Sequence, residues 1–287
     1  NGTTSKLVVS KLKVRKVVPM SKLPKIASNL KCWRLLNNIV FGNDVTCPRC
    51  RNRLSENYQS GYLWCRACRK KYRPTAYRGS WLYGMKLTPR QLFLLLYCWQ
   101  EKKSPDTARL LACVSYPTVE RWYERFRDHL PAMQPLLRGI VQIDESYFGK
   151  LRSKQPQRIV VGAIEPHTRK LALVITDSRG QEAVERFVID NIAVGSLVIS
   201  DKWWAYEELP LLGYPHESHN HSKGDYANTN QGESIWSVSK RHARRLFGGR
   251  ILTRHLEDLC REWMARHNQP QLFENPMNYL QATLVPC

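Results

Sequence analysis

The first eighty residues of the chain contain almost no acidic side chains. Asp44 and Glu56 stand there against 18 lysines and arginines, a net charge of +16 out of +21 for the whole sequence. Clustered positive charge favours a polyanionic partner, because cations that neutralise phosphates release the counterions bound to them. We therefore expect nucleic acid as the first class of partner and an anionic membrane surface as the second.

Long apolar runs are also missing. The longest strongly apolar stretch is Leu92–Trp99, far short of the roughly 20 residues that a membrane-spanning helix needs. The basic N-terminus has neither a sustained apolar segment nor a small-residue cleavage site, so it predicts no secretory signal and a cytoplasmic protein. We set residues 1–19 apart as a basic extension or an expression remnant.

The low apolar content of disordered chains is not found here. With 43% hydrophobic and 10% aromatic residues, the sequence can bury a core, which excludes global disorder. Its 287 residues exceed the usual size of one domain. This length predicts one larger domain with one or two small modules.

Four of the nine cysteines form two pairs, Cys47-x2-Cys50 and Cys65-x2-Cys68, with fourteen residues between the pairs. This spacing predicts a zinc ribbon, in which two short hairpins present four thiolates to one Zn²⁺ ion. Two redox-active pairs are the alternative, but no thioredoxin-like βαβ pattern surrounds either pair.

Basic residues with interleaved tyrosines surround the second cysteine pair. Such a run without an acid predicts contacts with DNA or RNA phosphates, and a solvated charged face is the alternative. The residues assigned to these contacts are Arg66, Arg69, Lys70, Lys71, Arg73 and Arg78.

Three helices are predicted next. Thr88 and Ser104, each followed by proline, are typical helix starts. A brief turn at residues 114–115 then leads into a helix with apolar residues at i, i+3 and i+7. This pattern predicts a helix-turn-helix whose third helix exposes Glu120, Arg121, Tyr123, Glu124 and Arg125 to the DNA major groove. A helical hairpin that only packs or dimerises has the same pattern, so that alternative stays open.

From residue 139 the pattern changes to strands. β-branched runs at residues 139–150, 158–166 and 171–178 precede a helical stretch and a further strand that ends at Asp201. After a polar loop, Glu233 opens an amphipathic helix. Strands followed by alternating helix and strand predict a mixed α/β sheet with helices packed on it. The helix after Glu233 carries four further candidate phosphate ligands, Lys240, Arg241, Arg244 and Arg245.

Three acids are candidate ligands of a catalytic metal ion: Asp144 within a strand, Asp201 at a strand end and Glu233 at a helix start. An unpaired acid inside a strand is costly to bury, so converging carboxylates that share Mg²⁺ or Mn²⁺ explain it best. Two such ions suit an in-line phosphoryl transfer.

Each acid also has an ordinary interpretation. Glu145 lies on the opposite strand face from Asp144, and we favour Asp144 because it shares its face with Gln142. Asp201 could cap the following helix, and Glu233 could be a first-turn acid favoured by the helix dipole. In the polar loop, the residues His216, His219, Asn220 and His221 are interpreted as polar loop residues, with metal or substrate binding as the alternative.

In combination, these motifs resemble a known family. The chain is similar to zinc-ribbon DDE transposases of bacterial insertion sequences related to the Merlin superfamily. The similarity lies in the order of its motifs: CPRC and CRAC, the helix-turn-helix, IDESYFG, ISDKWWAY and NTNQGESIWSVSKR. The resemblance covers about residues 25–270. Asn228 and Lys202-Trp203 depart from the usual family residues.

The resemblance implies a ribonuclease H-like catalytic core with Asp144, Asp201 and Glu233 as its metal-binding triad. The matching motif residues are Asn230, Trp236 and Lys240 around the third acid, and the Asn-His-Ser element at residues 220–222. The implied activity is cleavage of double-stranded DNA at terminal inverted repeats and transfer of the freed strand to a target. The implied assembly is a homodimer or a larger synaptic complex, associated with the nucleoid and not with a membrane.

The sequence thus predicts five segments. They are a basic extension at 1–19, an N-terminal segment with the ribbon at 20–80, a helix-turn-helix at 81–135, the catalytic domain at 136–268 and a tail at 269–287. Two rival functions remain: a transposase-derived DNA-binding regulator without catalysis, and a ribonuclease H-like structure-specific nuclease.

Overall fold

The computed structural model of the chain describes seven stretches of residues. They are 26–73, 80–149, 158–176, 180–201, 204–219, 230–247 and 253–284. Some residues named in the sequence predictions lie outside the described residues. They are residues 1–19, Arg78, Lys202-Trp203, Asn220-His221-Ser222 and Asn228.

The N-terminal part consists of a helix and a small sheet. Helix α1 (Asn29–Phe41) begins at Ser28, whose side chain accepts a hydrogen bond from the Lys31 amide. Strands β1 (Ser55–Asn57), β2 (Tyr62–Cys65) and β3 (Lys70–Tyr72) form an antiparallel sheet in that order. The β2–β3 hairpin carries Cys65 and Cys68, and a bridge between Thr46 and Arg53 closes the turn with Cys47 and Cys50, so both short hairpins expected of a ribbon are present.

Three helices follow, as the sequence predicts. Helix α2 (Pro89–Gln100) begins with a capping box between Thr88 and Gln91, and α3 (Pro105–Ala112) is capped by Ser104. The left-handed residue Cys113 ends α3, and α4 (Tyr116–Asp128) begins three residues later. This geometry is a helix-turn-helix.

One residue of α4 differs from the sequence prediction. Tyr123 was expected on the exposed face, but its side chain is 2% exposed and its hydroxyl donates to the Lys103 carbonyl at 3.2 Å. The reason is that α4 is covered on two sides, since it packs on α2 and α3 and also on helix α7 (Thr253–Asn268).

The larger sheet has five strands in the order β6-β5-β4-β7-β8. Its first three strands along the chain, β4 (Ile140–Phe148), β5 (Arg158–Ile164) and β6 (Leu171–Thr176), pair antiparallel. Helix α5 (Gln181–Asn191) leads to β7 (Leu197–Asp201), which pairs parallel with β4. This mixed sheet, with the first strand central, is the ribonuclease H-like arrangement that the sequence predicts.

The edge strand β8 (His216–His219) corrects the expectation of a polar loop at these residues. It pairs parallel with β7, with Val198 beside His216 and Asp201 beside His219. The sequence HESH contains no apolar residue, so its polar pattern does not predict a strand. The free edge of β7 supplies the backbone partners instead.

Two helical layers cover the sheet. Helix α5 packs on one face, in a core that includes Val141, Ile143 and Phe187. Helices α6 (Asn230–Phe247) and α7 cover the other face. Helix α8 (Pro276–Thr283), in the predicted tail, packs against α2. No described helix is long and apolar enough to cross a membrane.

Candidate active site

The pairing of β4 with β7 sets the positions of the first two candidate acids. Ile140 lies beside Leu197 and Gln142 beside Ile199. The paired register ends at Gln142 and Ile199, and continued by two residues it would place Asp144 level with Asp201. Neighbouring strands lie about 4.8 Å apart and paired residues share a face, so the two carboxylates belong to the same side of the sheet.

Helix α6 contacts this side of the sheet through Trp236. The indole Nε1 of Trp236 donates to Asp144 Oδ2 at 3.1 Å, and the Glu145 amide donates to Asp144 Oδ1 at 2.8 Å. Each carboxylate oxygen of Asp144 therefore accepts a hydrogen bond from a described donor. A carboxylate oxygen has two acceptor positions, so accepting one hydrogen bond does not by itself prevent it from binding a cation.

Gly162 makes room for this arrangement. It is the β5 residue opposite Asp144, and a Cβ atom at Gly162 would lie 2.7 Å from Cζ2 of the Trp236 ring and 2.9 Å from a Leu173 methyl. Trp236 can thus reach Asp144 only because residue 162 has no side chain. The role of Gly162 could not be predicted from the sequence, since an isolated glycine in a strand indicates a close approach but does not identify the neighbour.

Glu145 points to the opposite face, as the strand alternation predicts. It accepts a hydrogen bond from the hydroxyl of Tyr206, which is fully buried in the core under α5. Burial raises the pKa of Tyr206 well above its ordinary value of 10, and the charges of Glu145, Asp201 and Asp144 raise it further. Tyr206 therefore stays protonated and donates to Glu145.

The third candidate acid is placed by its helix. Glu233 lies in the first turn of α6, three residues before Trp236, and its side chain is outside the described residues. Because residues three apart share one face of a helix, position 233 lies one turn from the Trp236–Asp144 contact.

Among the described residues after Asp201, the first helical segment is the short 3₁₀ helix Trp204–Tyr206, whereas the capping role was expected at an α-helix. Asp201 is half-buried at the end of β7, beside His219 of β8. His216 lies three residues before His219, and its Nε2 is 2.9 Å from the Ser200 hydroxyl.

The predicted phosphate ligands on α6 lie at the surface. Arg241, Arg244 and Arg245 are exposed, and Lys240 is half-buried with its Nζ 5.7 Å from the centre of the Phe148 ring. Phe148 is on the same strand as Asp144. The basic side of α6 therefore begins next to the candidate acids.

On the helix-turn-helix, Arg121 is exposed, and the guanidinium of Arg125 lies 5.2 Å from the centre of the Trp122 ring. In the ribbon, Lys71 lies over Tyr62 at 4.8 Å, and Arg73 donates to the Ser60 carbonyl at 3.0 Å. The described basic residues of the ribbon are exposed: Arg66, Arg69, Lys70, Lys71 and Arg73.

The four ribbon cysteines converge on one point. Their sulfur atoms all lie within 4.8 Å of one another, with 3.9 Å between Cys47 and Cys68 and 3.5 Å between Cys50 and Cys65. Tetrahedral Zn–S bonds of about 2.3 Å require sulfur atoms about 3.8 Å apart. The cluster therefore fits Zn²⁺ and does not fit two separate redox pairs.

Hydrogen bonds also favour a thiolate in this cluster. Although burial raises the pKa of Cys47, the Tyr72 hydroxyl at 3.3 Å and the amides of Cys50 and Arg49 lower it to about 6. Among the described residues, these four cysteines form the one group of at least three His, Cys, Asp or Glu side chains whose ligand atoms are close enough to hold a metal ion.

Comparison with known protein families decides the class of the catalytic domain. Residues 136–268 match the family DDE_Tnp_IS1595, described as the ISXO2-like transposase domain. This segment is similar to a transposase domain. The predicted resemblance to insertion-sequence DDE transposases is therefore confirmed. The match supports a DNA transposase that carries out strand cleavage and transfer, and it does not favour the regulator or the nuclease.

Three solved structures share a partial likeness with the chain. The HTLV-2 integrase catalytic core domain in complex with magnesium, in its trimeric form, has 10% identity, a TM-score of 0.32 and coverage of 47% of this chain and 87% of that one. Its dimeric form has 9% identity, a TM-score of 0.33 and coverage of 51% and 96%.

The third is the simian T-cell lymphotropic virus intasome in complex with PP2A regulatory subunit B56 gamma. It has 9% identity, a TM-score of 0.36 and coverage of 61% of this chain and 68% of that one. No curated protein matches the chain. The transposase assignment consequently depends on the family match and on the sheet topology.

Proposed function

We propose that Asp144, Asp201 and Glu233 form the catalytic site of this transposase. The proposal is supported by the register of β4 and β7, which, continued by two residues, puts Asp144 level with Asp201 on the side of the sheet that α6 contacts. Position 233 lies one helical turn from that contact. The three acids offer the hard oxygen ligands that Mg²⁺ and Mn²⁺ prefer.

Ions bound there would supply an activated hydroxyl and neutralise charge at the leaving oxygen of the phosphodiester. The chain's own residues orient the ligands. Trp236 and the Glu145 amide hold both oxygens of Asp144. The basic side of α6, with Lys240 and Arg241, suits the phosphates on either side of the cleaved bond.

The N-terminal modules complete the proposal. A zinc-bound ribbon with exposed cations and a helix-turn-helix with Arg121 exposed would bind the transposon ends. Two ends must be paired for transfer, so we expect a homodimer or a larger synaptic complex on double-stranded DNA. A bacterial protein of this function would work in the cytoplasm, associated with the nucleoid.

The test uses DNA that flanks the gene as the source of end sequences. Labelled duplexes are incubated with the full chain and Mn²⁺ or Mg²⁺, and cleavage and joining to a plasmid are measured separately from binding. We expect Asp144→Asn, Asp201→Asn and Glu233→Gln to lower cleavage about a thousandfold or more, because several kcal/mol of charge stabilisation are lost.

Binding in a mobility-shift assay should change little in these variants. Asp190→Asn is the matched control, since Asp190 is an exposed acid on α5, which covers the opposite face of the sheet. Full cleavage by Asp144→Asn, or an equal loss in Asp190→Asn, would overturn the assignment. Cleavage without joining by the unmodified chain would indicate the nuclease instead.

A further inference from the structure

A basic pocket lies beside the proposed catalytic site. It has a volume of about 430 Å³ and is bounded by Lys102, Arg169, Arg266 and His267 together with the apolar residues Ile235 and Val238 of α6. Ile235 also borders the recess that contains Asp144. One side chain of α6 therefore separates this pocket from the candidate acids.

The cations of the pocket differ in whether a described carboxylate pairs with them. Among the described residues, no carboxylate forms an ion pair with Lys102 or Arg169, whereas Arg266 is paired with buried Glu262. Burial, and then the charge of Arg266, lower the pKa of Lys102 from its ordinary value, against a smaller opposite effect of the Glu262 carboxylate. An anion in the pocket would relieve this repulsion.

The backbone at the two unpaired cations is unusual. Lys102 has φ 54° just after the end of α2, and Arg169 has φ 61° in the turn between β5 and β6. Glycine or asparagine is the usual residue in this left-handed conformation, because a Cβ atom there is strained. Two strained positions in separate loops thus both carry a cation, and both cations line one pocket.

Non-glycine residues in this conformation cluster at functional sites, although helix ends such as Cys113 adopt it too. Lys and Arg are also the residues that bind phosphate oxygens. We propose that Lys102 and Arg169 bind a backbone phosphate of DNA close to the bond that the transposase cleaves. This inference rests on the proposed function, and it adds a DNA contact outside the ribbon, α4 and the basic side of α6.

The backbone conformation provides a sharp test. In the double variant Lys102→Gly/Arg169→Gly, both replacements suit the left-handed backbone, so we expect an equal or higher melting temperature. The affinity for a duplex of the flanking DNA is measured in an Asp144→Asn background without added Mg²⁺ or Mn²⁺. This affinity should fall about tenfold. The slope of log affinity against log salt concentration should become shallower by about 0.9 for each phosphate that the variant no longer neutralises.

The matched control is Lys103→Ala/Lys170→Ala. These exposed cations are the chain neighbours of Lys102 and Arg169 and are not among the described residues that line the pocket. The control removes the same charge from the same loops. We expect its affinity and its salt slope to stay close to those of the unmodified pocket, in contrast to the glycine variant.

A second measurement locates the phosphate. Single phosphates near the cleavage point are replaced by neutral methylphosphonates, and binding is compared between the unmodified pocket and the glycine variant. One replacement should weaken binding to the intact pocket and have no effect in the variant. Additive losses at every position, or equal affinity losses in the variant and its control, would overturn the proposal.

These readouts separate the two proposals. Binding, the salt slope and the methylphosphonate effects are all measured without cleavage. A chain that binds DNA but does not cleave it would therefore contradict the catalytic proposal and leave the phosphate proposal standing. If the glycine variant is poorly folded, Lys102→Asn/Arg169→Asn replaces it, because asparagine also tolerates the left-handed conformation.

Discussion

Arg127 of α4 and Glu262 of α7 form a fully buried ion pair, with 2.7 Å between Nε and Oε2. Glu262 also accepts hydrogen bonds from Trp99 of α2 at 3.0 Å, from Arg266 at 2.8 Å and from His242 of α6 at 3.0 Å. One carboxylate therefore connects two helices of the helix-turn-helix with α6, the helix that holds Asp144 through Trp236.

Glu262→Gln should destabilise the chain by about 3 kcal/mol or more, because buried Arg127 and Arg266 would both lose their ion pair with Glu262. Chemical denaturation of the full chain measures this loss. Glu257→Gln is the control, since Glu257 is exposed on the same helix. A change below about 1 kcal/mol in Glu262→Gln would mean that the network does not hold the modules together.

Stability should fall as the pH drops below 6.5. Burial lowers the pKa of His242 from 6.5, and its buried Nδ1 has no hydrogen-bond partner among the described residues. The unfolded chain then binds a proton that the folded chain excludes, so stability is lost on acidification. Burial lowers the pKa of His216 and His267 as well, which adds to the same effect.

A second loss follows at lower pH. Burial alone would raise the pKa of Glu262, but Arg266, Arg127 and His242 hold it well below 4.5. Its contribution is complete above 4.5 and disappears as the pH falls towards the lowered pKa.

In His242→Gln, the pH slope of the unfolding free energy between 6.5 and 5 should decrease by up to about 1.4 kcal/mol per pH unit. An unchanged slope would contradict a neutral His242.

Gly162→Ala should displace the Trp236 ring and impair cleavage, because the new methyl group would lie 2.7 Å from the ring. Overpacking of this kind destabilises a protein by about 1–3 kcal/mol. The companion variant Trp236→Phe keeps a ring but removes the donor to Asp144. It should fold normally and require more Mn²⁺ for half-maximal cleavage. An unchanged Mn²⁺ requirement would exclude a positioning role for Trp236.

Cys65→Ser should abolish zinc binding and weaken DNA binding, since three remaining thiolates cannot close the tetrahedral site. Metal analysis of the purified chain should find one zinc per chain before the substitution. Cys113→Ser is the matched control, because Cys113 is exposed and lies outside the cluster. Equal zinc contents in the two variants would refute the ribbon site.

Short-range patterns in the sequence were enough to predict many elements. The caps at Thr88 and Ser104, the strands around Asp144 and Asp201 and the spacing of the four cysteines depend on neighbours within a few residues. The alternation of Asp144 and Glu145 between the faces of β4 follows from the strand period alone. The predicted domain boundaries and the catalytic roles of the three acids stay predictions.

Other features depend on contacts between distant segments. Tyr123 is buried because α7 covers α4, and His216–His219 form a strand because β7 offers an open edge. Gly162 matters only because Trp236, from a helix more than sixty residues later, lies over it. No local pattern contains such information.

By itself, therefore, the sequence determined the ribbon, the helical module, the mixed sheet and the acids on it, because capping, strand alternation and ligand spacing are local properties. Only the tertiary structure decided that Glu262 joins the modules, that Gly162 admits Trp236 to Asp144, and that Lys102 and Arg169 line one pocket. Each of these three contacts joins residues that are far apart in the sequence. They meet only when the helices and the sheet pack together, and burial and electrostatic interactions depend on distance in space and not along the chain.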